Sequence, residues 1–225
     1  METEIQEKPR QVCQRCGQCC IKGGPALHVP DLEWIERGEI PLTALFTIRP
    51  GERAYDNVSG GLFQVTADIV KIRSAEGSRS CLFYDEAEKA CRIYGGRPLE
   101  CRLQACWDST AMEQAYADLR ISRFEILQNR PRLMEMIEAH EEHCHFAAIH
   151  HLTELREAGD TEAAYRLSEI INYDHHFREI AVNRANIPAD LLDFLIGRPL
   201  SRILKDQFGV KIVRSPGGSG QDKQG

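Results

Sequence analysis

The sequence predicts an α+β fold, with a small irregular cysteine-rich module at residues 1–109, an all-helical region at 110–214 and a tail at 215–225. Three observations predict it. Eight of the nine cysteines fall in two stretches, Cys13–Cys20 and Cys81–Cys106. Between those stretches lie only brief runs of β-branched and aromatic residues, divided by Gly and Pro. From residue 110 onward, apolar side chains recur at helical spacing between Pro and Gly punctuation.

In chain order, residues 1–12 read as a polar lead-in and Leu27–Val29 as a short extended piece. Pro30-Asp31 opens a helix over Asp31–Arg37, with Asp31 as N-cap and Gly38 as its stop. Pro41 begins a second brief helical segment, and Pro50-Gly51-Glu52 is a turn. Leu62–Val65 and Ile69–Ile72 carry strand character and predict a hairpin or a three-stranded sheet. A charged turn, Asp85–Lys89, can join two short strands and so bring Cys81 to Cys91. Pro98 suits a first helical position. A helix starting there places Cys101 in its first turn, where the positive dipole end favours a thiolate. Cys106 follows at its far end, and Trp107 packs over the site.

The helical region reads as Thr110–Gln128 (Met112, Ala115, Tyr116, Leu119 and Ile126 inward), then Arg132–Ala158 (Leu133, Met136, Ile137, Phe146 and Ile149 inward). A third helix runs to Asn183, capped by Asp160 or Thr161. Two short helices follow, Ala189–Ile196 between Pro188 and Gly197, and Leu200–Gln207 between Pro199 and Gly209. The Gly- and Ser-rich end from residue 215 is expected to be disordered.

Composition narrows the function classes. Hydrophobic residues make up 42% and charged residues 28% of the chain, as in an ordinary globular protein. A net charge of -6 argues against a nucleic-acid or acidic-membrane partner, which needs a basic face. No apolar run approaches the ~18 residues of a membrane span. Met1–Arg10 lacks the apolar core of a signal peptide, so the expected compartment is the cytosol. There thiols stay reduced, and clustered cysteines read as metal ligands rather than disulfides.

The candidate ligands are Cys13, Cys16, Cys19, Cys20, Cys81, Cys91, Cys101 and Cys106. So many thiolates need metal ions and nearby cations to offset their charge. Arg15, Lys22, Arg92, Arg97 and Arg102 are interleaved with them. Arg97, beside Pro98, is placed to hydrogen-bond a sulfur or a carboxylate. Two tetrathiolate centres, or one cluster with spare thiols, both satisfy the count. Cys19 and Cys20 are adjacent, and neighbouring side chains diverge, so one of the pair serves a second centre or none. Zinc-finger spacing is poor, and structural zinc usually arrives as two separated C-x2-C pairs. The preferred centre is therefore a 4Fe–4S cluster, with zinc as the alternative. Glu142 and His145 form a Glu-x-x-His step, but no second such motif exists for a di-metal bundle site. His140 and Cys144 read as core-lining.

At these residues a resemblance enters. The C-x2-C-x2-C-C run, Cys81, and Cys91-x-Ile93-Tyr94-x-x-Arg97-Pro98-x-x-Cys101-Arg102 together resemble the YkgJ-type cysteine-cluster family. Flagellin lysine-N-methylase carries a similar cysteine set. The resemblance spans residues 13–107 and implies zinc or iron chelation by Cys13, Cys16, Cys19, Cys20, Cys81, Cys91 and Cys101; many members lack a cysteine at the position of Cys106. The functional expectation is an iron–sulfur protein with a redox or electron-transfer role and a redox or protein partner. The alternatives are a zinc-stapled interaction module and, through the methylase resemblance, a protein-modifying enzyme. No catalytic residue is assigned.

Overall fold

The computed structural model describes residues 13–56, 60–116 and 120–210. The readings of residues 1–12 and 215–225 as tails, and of Leu119 as a helix-face residue, lie outside that range. The fold is α+β, as predicted, with short antiparallel strand pairs followed by helices.

The first half contains α1 (Leu32–Glu36), β1 (Leu45–Ile48), β2 (Arg53–Asp56), β3 (Gly61–Gln64), β4 (Ile69–Ile72), β5 (Tyr84–Asp85), β6 (Ala90–Cys91) and α2 (Leu99–Leu103). The two predicted strand runs form but do not pair with each other. β3 folds back on β2, with Ala54 opposite Phe63, whereas β4 pairs with β1, with Leu45 opposite Ile72. The reason is burial. β4 buries three of its four residues, Ile69, Val70 and Ile72, in the core, while β2 and β3 alternate and keep one face in solvent.

The second half contains α3 (Thr110–Ala115), α4 (Arg123–Ile126), α5 (Pro131–Cys144), α6 (Phe146–Glu157), α7 (Thr161–Asn183), α8 (Leu192–Leu195) and α9 (Leu200–Phe208). Two predicted long helices are broken. Thr110–Gln128 splits into α3 and α4, with Ser122 and Glu125 forming a capping box that starts the second piece. Arg132–Ala158 splits at His145, whose backbone is extended and whose ring accepts a hydrogen bond from Ala148 N. Histidine is an uncommon N-cap, which is why residue type did not flag the break.

The main core draws on both sides of residue 110. Leu27, Leu45, Val70, Ile72 and Tyr84 meet Ile121, Ile137, Leu192 and Phe194 in one cluster. A second core, with Cys144, Phe146, Leu167 and Leu200, joins α6, α7 and α9. A buried ionic network stitches the halves. Arg123 donates to Asp68 at 2.9 Å, to Leu195 O at 2.7 Å and to Glu141 at 2.6 Å. Arg49, fully buried, reaches Glu141 at 3.3 Å and donates to Cys144 O at 3.3 Å. Gly197, at φ +75°, leaves room for it, since a Cβ there would stand 2.9 Å from Arg49 Nε. Asp174 accepts from Leu200 N, Arg178 and His140, so His140 carries its proton on Nε2. The other ring nitrogen then faces Arg49 Nη1 at 3.5 Å.

The elements that carry cysteines are held by two carboxylates. Asp31 does not cap its own helix. Its Oδ2 accepts from His28 N and its Oδ1 from Leu99 N, capping α2 across 68 residues of chain. Glu100 Oε2 accepts from Ala26 N at 2.8 Å, and Oε1 lies 3.3 Å from His28 Nε2. Among the described residues, no helix is long and apolar enough to cross a membrane.

Two outcomes follow from these carboxylates. Asp31→Ala leaves the buried His28 N–H and the partly buried Leu99 N–H without acceptors and should cost about 2 kcal/mol or more in urea unfolding. An unchanged midpoint would remove Asp31 from this role. Burial opposes ionisation of Asp174, but the His140 and Arg178 contacts outweigh it and hold its pKa near about 2, below the ordinary 3.8. Burial also lowers His140 below its ordinary 6.5. Both groups bind protons more readily when unfolded, so the thermal midpoint should fall below pH 6.5 and again from pH 4 toward 2. A midpoint that is flat with pH over that range would contradict the assignment, and Asp174→Ala should destabilise by about 3–5 kcal/mol at neutral pH.

Candidate metal centre

Cys13 to Cys16 are exposed and carry no regular structure, and the chain then reverses at Gly17, whose φ is +76°. A side chain there would be strained in that conformation, and its Cβ would collide with the Tyr84 hydroxyl. Only glycine admits this turn. Ile21 N closes it onto Gly17 O at 3.0 Å, and Cys20–Lys22 forms a single 3-10 turn. Both Cys19 and Cys20 thus lie on the turn, with their sulfurs 3.9 Å apart.

The second stretch meets the first directly. Cys81 N donates to Cys20 O at 2.8 Å, and Tyr84 N donates to Cys81 O at 2.9 Å. In the β5–β6 hairpin Cys91 stands opposite Tyr84, as the predicted Asp85–Lys89 turn requires. Cys101 is the third residue of α2, whose first turn Asp31 and Glu100 anchor. Cys106 lies beyond the end of α2, in a turn closed by an Ala105–Asp108 bridge. Cys13, Cys16, Cys19, Cys20, Cys91, Cys101 and Cys106 line one cavity of about 70 Å³, whereas Cys81 is buried behind the lining and joined to it through Cys20 O. That volume is several times the ~10–15 Å³ that admits one water. Trp107 lines its rim, 41% exposed, rather than sealing it. Cys144 is fully buried in the second core, as a core-lining residue should be.

The thiols form two tiers. Cys81 is buried, and Cys20, Cys91 and Cys101 are partly buried; Cys13, Cys16, Cys19 and Cys106 are exposed, Cys19 standing against Cys20. Burial pushes the Cys20 thiol up to about 12, reinforced by the charge of Cys19 and then by Cys81 and Cys91. Burial likewise pushes Cys101 and Cys81 up, and their sulfur neighbours are again Cys19 and Cys91. Cys19, Cys20, Cys81, Cys91 and Cys101 therefore repel one another as thiolates, which a bound cation would relieve.

Cations surround the opening. The guanidiniums of Arg15 and Arg97 stand 3.9 and 3.8 Å from the centre of the Tyr94 ring. Two groups at that height cannot share a face, so Tyr94 is sandwiched between them. Arg15 and Lys89 both adopt positive φ, at 55° and 48°. Arg15, Lys89 and Arg97 line the cavity and form no ion pair among the described residues. Arg97 Nε is buried with no acceptor. The other interleaved cations differ: Arg92 is 3.8 Å from Asp85 and Arg102 is 3.8 Å from Asp31, while Lys22 is exposed.

The donor chemistry fits a thiophilic metal group: thiols from both stretches share one cavity, with an orphaned cationic donor beside them. Among the described residues, no three Cys, His, Asp or Glu side chains converge tightly enough to grip one ion. The Glu142–His145 step likewise assembles no metal site there. Sequence reasoning missed Tyr84, Tyr94, Lys89, Asp31 and Glu100 as builders of the site. Glu100 alone carried a signal, as a carboxylate beside Cys101 that becomes buried (7% exposed).

Comparison with curated proteins and with solved structures found no match. Residues 12–145 match the CxxCxxCC family, described as "Putative zinc- or iron-chelating domain". The matched span takes in both cysteine stretches and continues through α5, which carries His140 and Glu141 of the ionic network. The match supports metal binding by the cysteines. With its C-x2-C-x2-C-C run built onto the turn at Gly17 and joined to Cys81 through Cys20, this chain belongs to the CxxCxxCC family.

Proposed function

We propose that the cysteine cavity holds an iron–sulfur cluster, a 4Fe–4S centre in preference to zinc, with a redox or electron-transfer role in the cytosol. One observation carries this reading. Seven thiols surround a space larger than a single ion needs, yet no three donors close on one point among the described residues. A polyatomic centre reaches several dispersed thiolates at once, whereas zinc demands four donors about 2.3 Å from one nucleus. When bound, such a centre supplies one-electron chemistry.

The chain's own residues then have definable tasks. Cys19 or Cys20, Cys81, Cys91 and Cys101 act as the holding thiolates. Cys13, Cys16 and Cys106 serve as outer thiols, able to complete a second centre or to exchange. Arg97, stacked on Tyr94, donates its free Nε–H to a sulfur or a carboxylate. Arg15 and Lys89 offset the residual negative charge. Trp107 at the rim marks the side from which a redox partner protein would approach. The zinc reading rests on a different observation: the strands described in the cysteine-rich half, β1 to β6, are two to four residues long, so a metal staple would supply stability that the sheets do not.

Protein purified without oxygen should be brown, contain iron and sulfide, and give an electron paramagnetic resonance signal on reduction. A colourless protein with stoichiometric zinc would transfer the assignment to the staple. Serine at Cys81, Cys91 or Cys101 should abolish the tightly held metal, whereas serine at Cys13, Cys16 or Cys106 should spare most of it. Metal per chain decides between them, and equal losses in both sets would refute the two tiers. Cys144→Ser should leave metal content unchanged.

A further inference from the structure

Residues 13–16 form one wall of the sulfur cavity, since Cys13, Gln14, Arg15 and Cys16 all line it. All four are exposed and lie outside any helix or strand. Among the described residues, no backbone–backbone hydrogen bond ties this segment to the rest of the chain; the turn that follows closes from Ile21 N to Gly17 O. Arg15 N donates to Cys13 Sγ at 3.4 Å, within the segment itself. The contact that crosses the cavity mouth is the Arg15 guanidinium, 3.9 Å from the centre of the Tyr94 ring.

The two sides of that contact differ in how firmly they are held. Tyr94 begins a 3-10 turn, Tyr94–Gly96, between the β5–β6 hairpin and α2. Gly96 is buried so closely that a Cβ would stand 2.8 Å from Trp34 Cε3. Arg97 covers the other face of Tyr94 at 3.8 Å. Tyr94 is therefore a fixed post. Arg15, by contrast, sits at φ 55°, a conformation disfavoured for a residue with a Cβ. An exposed cation–π contact shifts an equilibrium by only about 2–5-fold. A segment held by little else opens locally at small cost. Gly17, at φ +76°, stands where such an arm would turn. The arm carries Cys13 and Cys16, whereas Cys20, Cys81, Cys91 and Cys101 belong to the hydrogen-bonded body. Opening would thus uncover the cavity without moving the inner thiols.

We propose that residues 13–16 are a strap, hinged at Gly17 and latched by Arg15 on Tyr94, whose release is the entry path for the metal group. Tyr94 is a positioning residue: it acts on Cys13 and Cys16 through Arg15. What passes the strap rests on the metal-binding reading, whereas the opening itself is measurable on the metal-free chain.

Tyr94→Leu removes the ring while keeping every charge, and Tyr94→Phe keeps the ring. In the reduced, chelator-stripped chain, N-ethylmaleimide should label Cys91 and Cys101 about 2–5-fold faster in Tyr94→Leu than in wild type, resolved by peptide mass spectrometry. Tyr94→Phe should label at the wild-type rate. Cys144, in the second core, should keep its slow rate in all variants. In loaded protein, Tyr94→Leu should speed metal release to ethylenediaminetetraacetate by a similar factor. Arg15→Gln should act like Tyr94→Leu and add nothing on top of it, because both break one contact. Unchanged labelling of Cys91 and Cys101 in both single variants overturns the strap, as do effects of the two variants that simply add. If Tyr94→Leu does not fold, or speeds Cys144 equally, Tyr94 is a packing residue and the latch is refuted unless Arg15→Gln alone reproduces the selective labelling. A wild-type chain that holds no metal would sink the functional reading, and the labelling would still decide the strap.

Discussion

The architecture turns on a few hydrogen bonds from backbone N–H groups that fasten two distant stretches of chain together. Cys20 O receives Cys81 N, Asp31 receives Leu99 N, and Glu100 receives Ala26 N. Each bond spans more than sixty residues. Without them, short strands and a five-residue helix have too little cooperative hydrogen bonding to hold thiols in register. Carboxylates are suited to the task because one side chain can take two N–H donors, and charge-assisted bonds are stronger than neutral ones. Thiol placement therefore comes from the interior outward, with Asp31 and Glu100 as the fixed points.

Charge sets the second constraint. The inner sulfurs are desolvated and close enough to repel, so they remain thiols unless a cation draws the protons off. Cationic side chains stand around the opening. Arg15, Lys89 and Arg97 line it, two of them stacked on Tyr94. The whole chain is acidic at -6, yet its immediate sulfur environment is basic. Net charge is a sum over the whole chain and did not predict the local field.

The helical half does more than append a second unit. Its α8 packs on β1, and its Ile121, Ile137 and Phe194 complete the core beneath the cysteine-rich strands. Arg49 and Arg123 extend that union through buried ion pairs with Glu52, Asp68 and Glu141. Such pairs contribute little net stability against apolar replacement, but an unpaired member is strongly destabilising, so the network penalises any other docking of the halves. The span matched by the family ends at residue 145, just past Cys144 at the end of α5.

Residue type and spacing alone determined the α+β class, the two cysteine stretches, the Asp85–Lys89 hairpin, and the helix boundaries at Asp160, Gly197 and Gly209. These are local matters, in which turn chemistry and periodicity act within a few residues. The pairing of β4 with β1, the break at His145 and the use of Asp31 to cap a helix 68 residues away were decided only by tertiary structure. So was the sandwich on Tyr94. Each depends on which groups lose water together, and burial is a property of the assembled chain that no short window of sequence contains.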